Sequence, residues 1–228
     1  PYKSITCVDG WMLFELKKKG FIKALDRGVF ALSAGPALPA YIPTLSKNMK
    51  TLYKKITDKH PFASLCLWET RCLNEFMLHQ PGKSLTVVEV ESEAAEAVFH
   101  TLKESYRSVF LLPSRQDFEY YVYTAPSSIV IKKLVSQSPL HTVSGIRTPK
   151  LEKLLVDLVA DSDFYYSYQG SERTTLFRNT FSHYHVSLKT LIAMHSGEKA
   201  DRSWRIACSK ISFFPPRLAK GVCYDLNN

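Results

Sequence analysis

Three glutamates, Glu69, Glu89 and Glu91, come nearest in this sequence to a catalytic pattern. Glu89 and Glu91 alternate onto one face of a predicted strand, and Lys103 follows in the next predicted helix. A metal-dependent nuclease needs clustered carboxylates and a lysine positioned at a strand end. A solvated strand end explains the two strand glutamates equally well, and no aspartate is placed to complete the cluster. A restriction-like, metal-dependent nuclease therefore stays an alternative, and we assign no catalytic residue.

Histidines and cysteines do not form a ligand set in this sequence. His183 and His185 are two positions apart, and on a helix such positions face different sides. The five cysteines contain no CxxC pair, and Cys66 and Cys72 lie in apolar segments typical of core packing. Phosphate-binding glycine loops and nucleophile motifs are also missing. We therefore expect no metal, no cofactor and no enzymatic activity.

The charge balance of the chain suits a polyanionic partner. Its 228 residues include 30 lysines and arginines against 21 acidic residues, which gives a formal net charge of +9. No apolar run approaches the roughly 18 residues that a membrane span needs, and no secretion leader opens the chain. We expect a soluble, cytoplasmic protein that makes no membrane contact.

Residues 9–32 have the order expected of the second half of a winged helix. A helix predicted over 9–20 ends in three consecutive lysines, and two short apolar runs joined by a tight turn follow it. In winged helices the recognition helix enters the major groove, and a basic wing tip reaches phosphates or the minor groove. Lysines at a helix end also complement the helix dipole, which is the simpler explanation. The predicted DNA contacts are Ser4 and Thr6 near base edges, and Trp11, Lys17, Lys18, Lys19, Lys23 and Arg27.

The rest of the chain predicts an α/β domain that begins after the proline-rich stretch 33–43. A strand, a helix and a second strand between residues 85 and 112 indicate a parallel crossover unit. Thr148 and Pro149 are typical of the cap and first residue of a helix that runs to Ala160. The other predicted elements are helices over 45–56, 171–181 and 187–195, a helix capped by Thr70, and strands over 62–68, 129–131 and 139–143.

The predicted fold class is therefore α/β, of the mixed α+β kind, in three parts. Residues 1–35 form a truncated winged helix-turn-helix, and residues 36–195 form a larger α/β domain with a helical C-terminal part. Residues 196–228 form a tail to which the sequence assigns no structure.

Two separated segments resemble AbiEi-type antitoxins, the transcriptional regulators of bacterial type IV toxin–antitoxin systems used in phage defence. Residues 11–30 are similar to the recognition helix and wing of that family. Residues 148–158, followed by Asp161, Gly170, Glu172, Phe177, Asn179, Tyr184 and Val186, resemble its C-terminal antitoxin domain. The resemblance implies an autoregulating repressor that binds double-stranded promoter DNA. It also implies that the larger domain counteracts a nucleotidyltransferase-type toxin, directly or without stable binding.

Two departures from that family and two further possibilities stay open. A complete winged helix needs two more helices than residues 1–8 supply, so this interpretation requires residues upstream of Pro1, and the tail has no counterpart.

A second basic surface, suited to an acidic partner or a toxin, is predicted at Lys132, Lys133, Arg173 and Arg178, although such charges are also typical of a solvated face. A protein-interaction adaptor without nucleic acid is the other alternative.

Overall fold

The computed structural model of the protein describes residues 22–26, 29–32, 38–187 and 190. The helix predicted over 9–20 and the tail over 196–228 lie outside this part, as does nearly all of the helix predicted over 187–195. The chain divides into two compact units, Pro1–Ala40 and Tyr41–Asn228. What is described of both units is a mixed α/β fold, as the sequence predicts.

The first unit contains the predicted hairpin. Strand β1, Ile22–Asp26, pairs antiparallel with strand β2, Val29–Leu32. The register shifts between Ala24 and Asp26, next to the turn, and such a bulge increases the local twist of a strand pair. The sequence interpretation of two short strands around a tight turn is therefore confirmed.

The second unit is built on a four-stranded sheet in the order β3, β4, β6, β5. Strands β4, β6 and β5 are parallel, and β3 is antiparallel to β4. The predicted parallel crossover between β4 and β5 is confirmed, but β6 lies between the two strands. Its apolar run is buried on both sides, which is typical of a central strand. The bounds are Leu65–Glu69 for β3, Thr86–Val90 for β4, Val109–Leu111 for β5 and Ile129–Lys133 for β6.

Helices cover both faces of this sheet. Helix α1, Lys47–Lys59, and helix α2, Ala95–Lys103, cover one face of the sheet. They share an apolar cluster with the sheet residues on the same face as Leu65 and Val88. Helix α3, Leu151–Ala160, and helix α4, Ser171–His183, share the other cluster. Shorter helical segments are Ser92–Ala94, Arg115–Asp117, Phe118–Val122 and Tyr166–Tyr168.

The predicted start of helix α3 is wrong. Thr148 and Pro149 belong to strand β8, Ile146–Pro149, which pairs antiparallel with β7, Leu140–Val143, and lies alongside β3. Ser144 and Gly145 both have positive φ, as the tightest hairpin turns require, so the chain reverses here before the helix begins. The strand predicted over 139–143 is thereby confirmed as β7.

The predicted cap at Thr70 is also wrong. Thr70 is the first residue of a 3₁₀ helix, Thr70–Phe76, that continues directly from β3. Its hydroxyl accepts a hydrogen bond of 2.9 Å from the backbone N–H of Leu85. This side chain therefore ties the helical segment to the chain entering β4 and leaves the helix start uncapped.

Among the described helices, none has both the length and the apolar character needed to cross a bilayer.

Replacing Ile56 by alanine is expected to lower the free energy of unfolding by about 2–5 kcal/mol, because the side chain is fully buried between α1 and the sheet. Urea unfolding followed by circular dichroism measures the change. Lys54→Ala, on the exposed side of the same helix, is the matched control and should stay within about 0.5 kcal/mol of wild type. Equal losses in the two variants would contradict the position assigned to α1.

Candidate functional site

A carboxylate lies inside the sheet at Glu89 of β4, where 1% of the residue is exposed. The indole N–H of Trp68, on the neighbouring strand β3, donates a hydrogen bond of 2.9 Å to its Oε1. The other carboxylate oxygen, Oε2, lies 2.6 Å from Nζ of Lys153. An ionised carboxylate can be buried only when it is paired and hydrogen-bonded, and both conditions are met here.

Lys153 reaches Glu89 from helix α3, which covers this face of the sheet. Its ammonium group also lies 2.5 Å from Oδ2 of Asp157, one helical turn further along α3. Lys153 is 1% exposed and Asp157 is 8% exposed, so two buried carboxylates share one ammonium group. The pairing fixes the rotation of α3 about its axis, because no other residue of the helix forms an ion pair with Glu89.

Burial and pairing act in opposite directions on these groups. Burial alone would lower the pKa of Lys153, but the charges of Asp157 and Glu89 outweigh it and raise the pKa above its ordinary value. Burial raises the pKa of Asp157, against the lowering effect of Lys153. Lys153 is therefore held as the ammonium ion at neutral pH, as the ion pair requires.

A second ion pair lies beside the first and leads to the surface. Lys132 stands opposite Glu89 in the parallel register of β4 and β6. Its Nζ is 2.6 Å from Oδ2 of Asp161 and 4.3 Å from the centre of the Phe164 ring. The side chain of Asp161 is 38% exposed, so the network reaches solvent on this side. We call Glu89, Lys132, Lys153, Asp157 and Asp161 the buried ion network.

Tyr165 lies beside the buried ion network and packs against Trp68. Its ring lies nearly parallel to that of Trp68, with 6.4 Å between ring centres. Its hydroxyl is buried without a hydrogen-bond partner in the described part of the chain. Burial, together with the charges of Asp157 and Glu89, raises the pKa of Tyr165, so the phenol keeps its proton.

The glutamates of the predicted nuclease site do not meet. Glu69 alternates with Leu65 and Leu67, whereas Glu89 lies opposite Cys66 on the other face of the sheet. Glu69 accepts a hydrogen bond of 2.8 Å from Ser46, the N-cap of α1, and lies 2.7 Å from Nε of Arg71. Glu91 follows the end of β4, and Lys103 donates to the backbone carbonyl of Arg107. Opposite sheet faces therefore prevent Glu69 and Glu89 from sharing a metal ion.

The charged groups of the buried ion network pair with one another. Each carboxylate already faces an ammonium group, and the network lies under α3 rather than in a cleft. Among residues 38–187, no three histidine, cysteine or acidic side chains are grouped so as to hold a metal ion. The geometry is that of a network that fixes α3 on the sheet.

The predicted partner-binding residues differ in their availability. Lys132 belongs to the buried ion network, and its side chain is only 16% exposed. Arg173 donates a hydrogen bond of 2.8 Å to Gln169. Lys133 at the end of β6 and Arg178 on α4 are exposed.

Of the predicted DNA contacts, only Lys23 lies in the described part, on strand β1 opposite Ala31. The other seven residues, Ser4, Thr6, Trp11, Lys17, Lys18, Lys19 and Arg27, lie outside it.

Lys153 and Asp157 were not predicted from the sequence as members of a site. The available signal was a lysine and an aspartate four residues apart inside a helix whose other residues are nearly all apolar. Such a pair within an apolar helix indicates buried charges that need partners.

The protein combines a β-hairpin with a mixed α/β unit, and buried ion pairs join the sheet of that unit to helix α3. The chain belongs to the family described as "Family of unknown function (DUF6577)", which matches residues 9–203. The match includes β1 and β2 as well as the whole described α/β unit. No curated protein matches the chain.

Replacing Lys153 by methionine is expected to lower the free energy of unfolding by about 3–5 kcal/mol, because Glu89 and Asp157 lose their cation. The combined variant Glu89→Gln/Lys153→Met/Asp157→Asn should recover most of that loss, since no unpaired charge stays buried. Urea titration at neutral pH measures both. Because the pKa of Lys153 is raised above 10.5, its stabilisation should persist below about pH 10.5 and disappear in more alkaline solution. An unchanged urea midpoint for Lys153→Met would contradict the role of the network.

Proposed function

We propose that the protein is a DNA-binding regulator of the AbiEi antitoxin type, which represses its own operon and counteracts a nucleotidyltransferase-type toxin. The observation that carries the proposal is the β1–β2 hairpin, which directly follows the predicted basic helix. A basic helix followed by a short twisted hairpin is the order of a recognition helix and its wing. The proposed role against a toxin is based on the resemblance of residues 11–30 and 148–186 to that family.

Binding to the operator would combine two kinds of contact. The helix over 9–20 would lie in the major groove with Ser4 and Thr6 near base edges, and Lys17, Lys18 and Arg27 would contact phosphates. The net charge of +9 supports this role, because neutralising phosphates releases counterions and strengthens association. Such a repressor would act in the bacterial cytoplasm.

The α/β unit would act through binding and without chemistry. Glu69 and Glu89 on opposite faces of the sheet favour this role over the nuclease alternative. Of the predicted second basic surface, Lys133 and Arg178 are the exposed cations whose side chains make neither an ion pair nor a hydrogen bond in the described part. They are the first candidates for contact with an acidic partner or the toxin.

The variant Lys17→Ala/Lys18→Ala/Arg27→Ala is expected to bind its promoter duplex more weakly and with a smaller salt dependence. The slope of log K against log salt should fall by up to about 2.7, which is about 0.9 for each of three lost phosphate contacts. Fluorescence anisotropy at several salt concentrations measures it. The variant Lys55→Ala/Lys59→Ala/Lys103→Ala removes the same charge from the other unit and serves as control. Equal losses, or no preference of wild type for the promoter over a scrambled duplex, would overturn the repressor assignment.

The antitoxin role predicts that co-expression restores the growth of cells producing the neighbouring nucleotidyltransferase. The variant Lys17→Ala/Lys18→Ala/Arg27→Ala should restore growth as well as wild type, because the proposal places neutralisation in the α/β unit. Growth curves with constant toxin induction measure this, and a catalytically inactive toxin is the control. Lack of rescue by wild-type protein would refute the antitoxin role and leave the repressor role to the DNA-binding measurement.

A further inference from the structure

Helix α1 carries a row of lysines on its outer side. Lys47, Lys50 and Lys54 are all exposed, and their spacing of three and four residues places them on one side of the helix. The whole helix contains five lysines and a single acidic residue, Asp58. We call Lys47, Lys50 and Lys54 the lysine row.

The opposite side of α1 fixes the row in place. Met49, Leu52 and Ile56 are buried in the apolar cluster that the helix shares with the sheet. At the start of the helix, the Ser46 hydroxyl accepts from the backbone N–H of Met49 and donates to Glu69. The lysine row therefore projects from a helix whose position and rotation are set by the core.

The row differs from the other lysines of α1 in having no partner. Lys59 lies 2.7 Å from a carboxylate oxygen of Glu104, and Lys55 donates to the hydroxyl of Ser105. None of the three lysines of the row forms an ion pair in the described part of the chain. Asp58 lies four residues after Lys54 on the same side and forms no ion pair there either, so this side of α1 carries three lysines against one carboxylate.

The placement of the row opposes helix stability. Lys47 is the first residue of α1 and Lys50 the fourth, and the first turn contains no acidic residue. A helix N-terminus carries partial positive charge, so lysines there are unfavourable for the helix and an anion is favourable. Lys47 and Lys50 therefore gain nothing from the helix dipole, and an anionic partner would be favoured at this end of α1.

We propose that the lysine row binds the sugar–phosphate backbone of double-stranded DNA. From Lys47 to Lys54 the helix rises about 10 Å, and a duplex carries one phosphate per about 1.7 Å of its axis over both strands, so several phosphates lie within reach of the row. Lysine acts as a point charge, so the contact is independent of base sequence. The exposed side of α1 also bears Asn48 and Thr51 but no exposed apolar residue, which disfavours a bilayer as partner. This surface belongs to the α/β unit and does not depend on the proposed hairpin contacts.

The test uses the full chain and a short DNA duplex of random sequence, with anisotropy measured across a range of salt concentrations. Lys47→Ala/Lys50→Ala/Lys54→Ala should lower the slope of log K against log salt by about 2.7, which is 0.9 for each of three contacts. The variant with arginine at the same three positions should keep the wild-type slope. Lys55→Ala/Lys59→Ala/Lys103→Ala removes equal charge from partnered lysines and should change the slope less.

Three results would overturn the proposal. The first is an equal fall in slope for the two alanine variants, which would show a simple effect of net charge. The second is an unchanged slope in the lysine-row variant. The third is weaker binding of the lysine-row variant to duplex RNA, or to anionic phosphatidylserine vesicles, with unchanged binding to duplex DNA.

Parallel measurements with a promoter duplex distinguish the lysine-row contact from the proposed repressor function. Loss of the row should weaken promoter and random duplex by the same factor, whereas Ser4→Ala/Thr6→Ala, at the predicted base-edge contacts, should reduce the preference for the promoter. A lysine-row variant that loses only the promoter preference would also count against a sequence-independent contact.

Discussion

Burial of the Glu89 carboxylate within the sheet is the constraint on which the α/β unit depends. A buried charge costs several kcal/mol unless it is paired, so the strand that carries Glu89 requires the indole of Trp68 and the ammonium of Lys153. Lys153 can reach the carboxylate only when helix α3 lies across β4 in one rotation. Asp157 then occupies the second side of the same ammonium group. The apolar residues of α3 favour burial in general, and the ion pair selects one arrangement among the possible packings.

Two sets of lysines in this unit have opposite roles. Lys132 and Lys153 point into the protein and meet carboxylates, so they add little to the field outside it. The lysine row of α1 faces outward and forms no ion pair with any residue that the structure describes. The positive charge available to a partner is thus set by the pairing of individual lysines, and net charge alone does not locate it. For this reason, each proposed DNA contact is paired with a variant that removes equal charge elsewhere.

Periodicity and turn chemistry predicted the β1–β2 hairpin, strands β4, β5, β6 and β7, and helices α1 to α4. The start of α3 was wrong because Thr148 and Pro149 suit a helix start and an edge strand equally well, and the tertiary pairing of β8 with β7 decides between them. The order of the sheet could not be predicted, since β6 pairs with strands distant in sequence. The buried ion network was missed because Lys153 and Asp157, viewed alone, resemble an exposed i, i+4 pair.

The position of β6 has a consequence for how the protein forms. Of the two interior strands of the sheet, β6 is the last of all four strands in the sequence, so β4 and β5 have no parallel neighbour until residues 129–133 have been synthesised. Pairings between such distant segments carry a loop-closure cost and slow the search for the native state. On the ribosome, the first half of the α/β unit must therefore wait with the apolar edges of β4 and β5 uncovered.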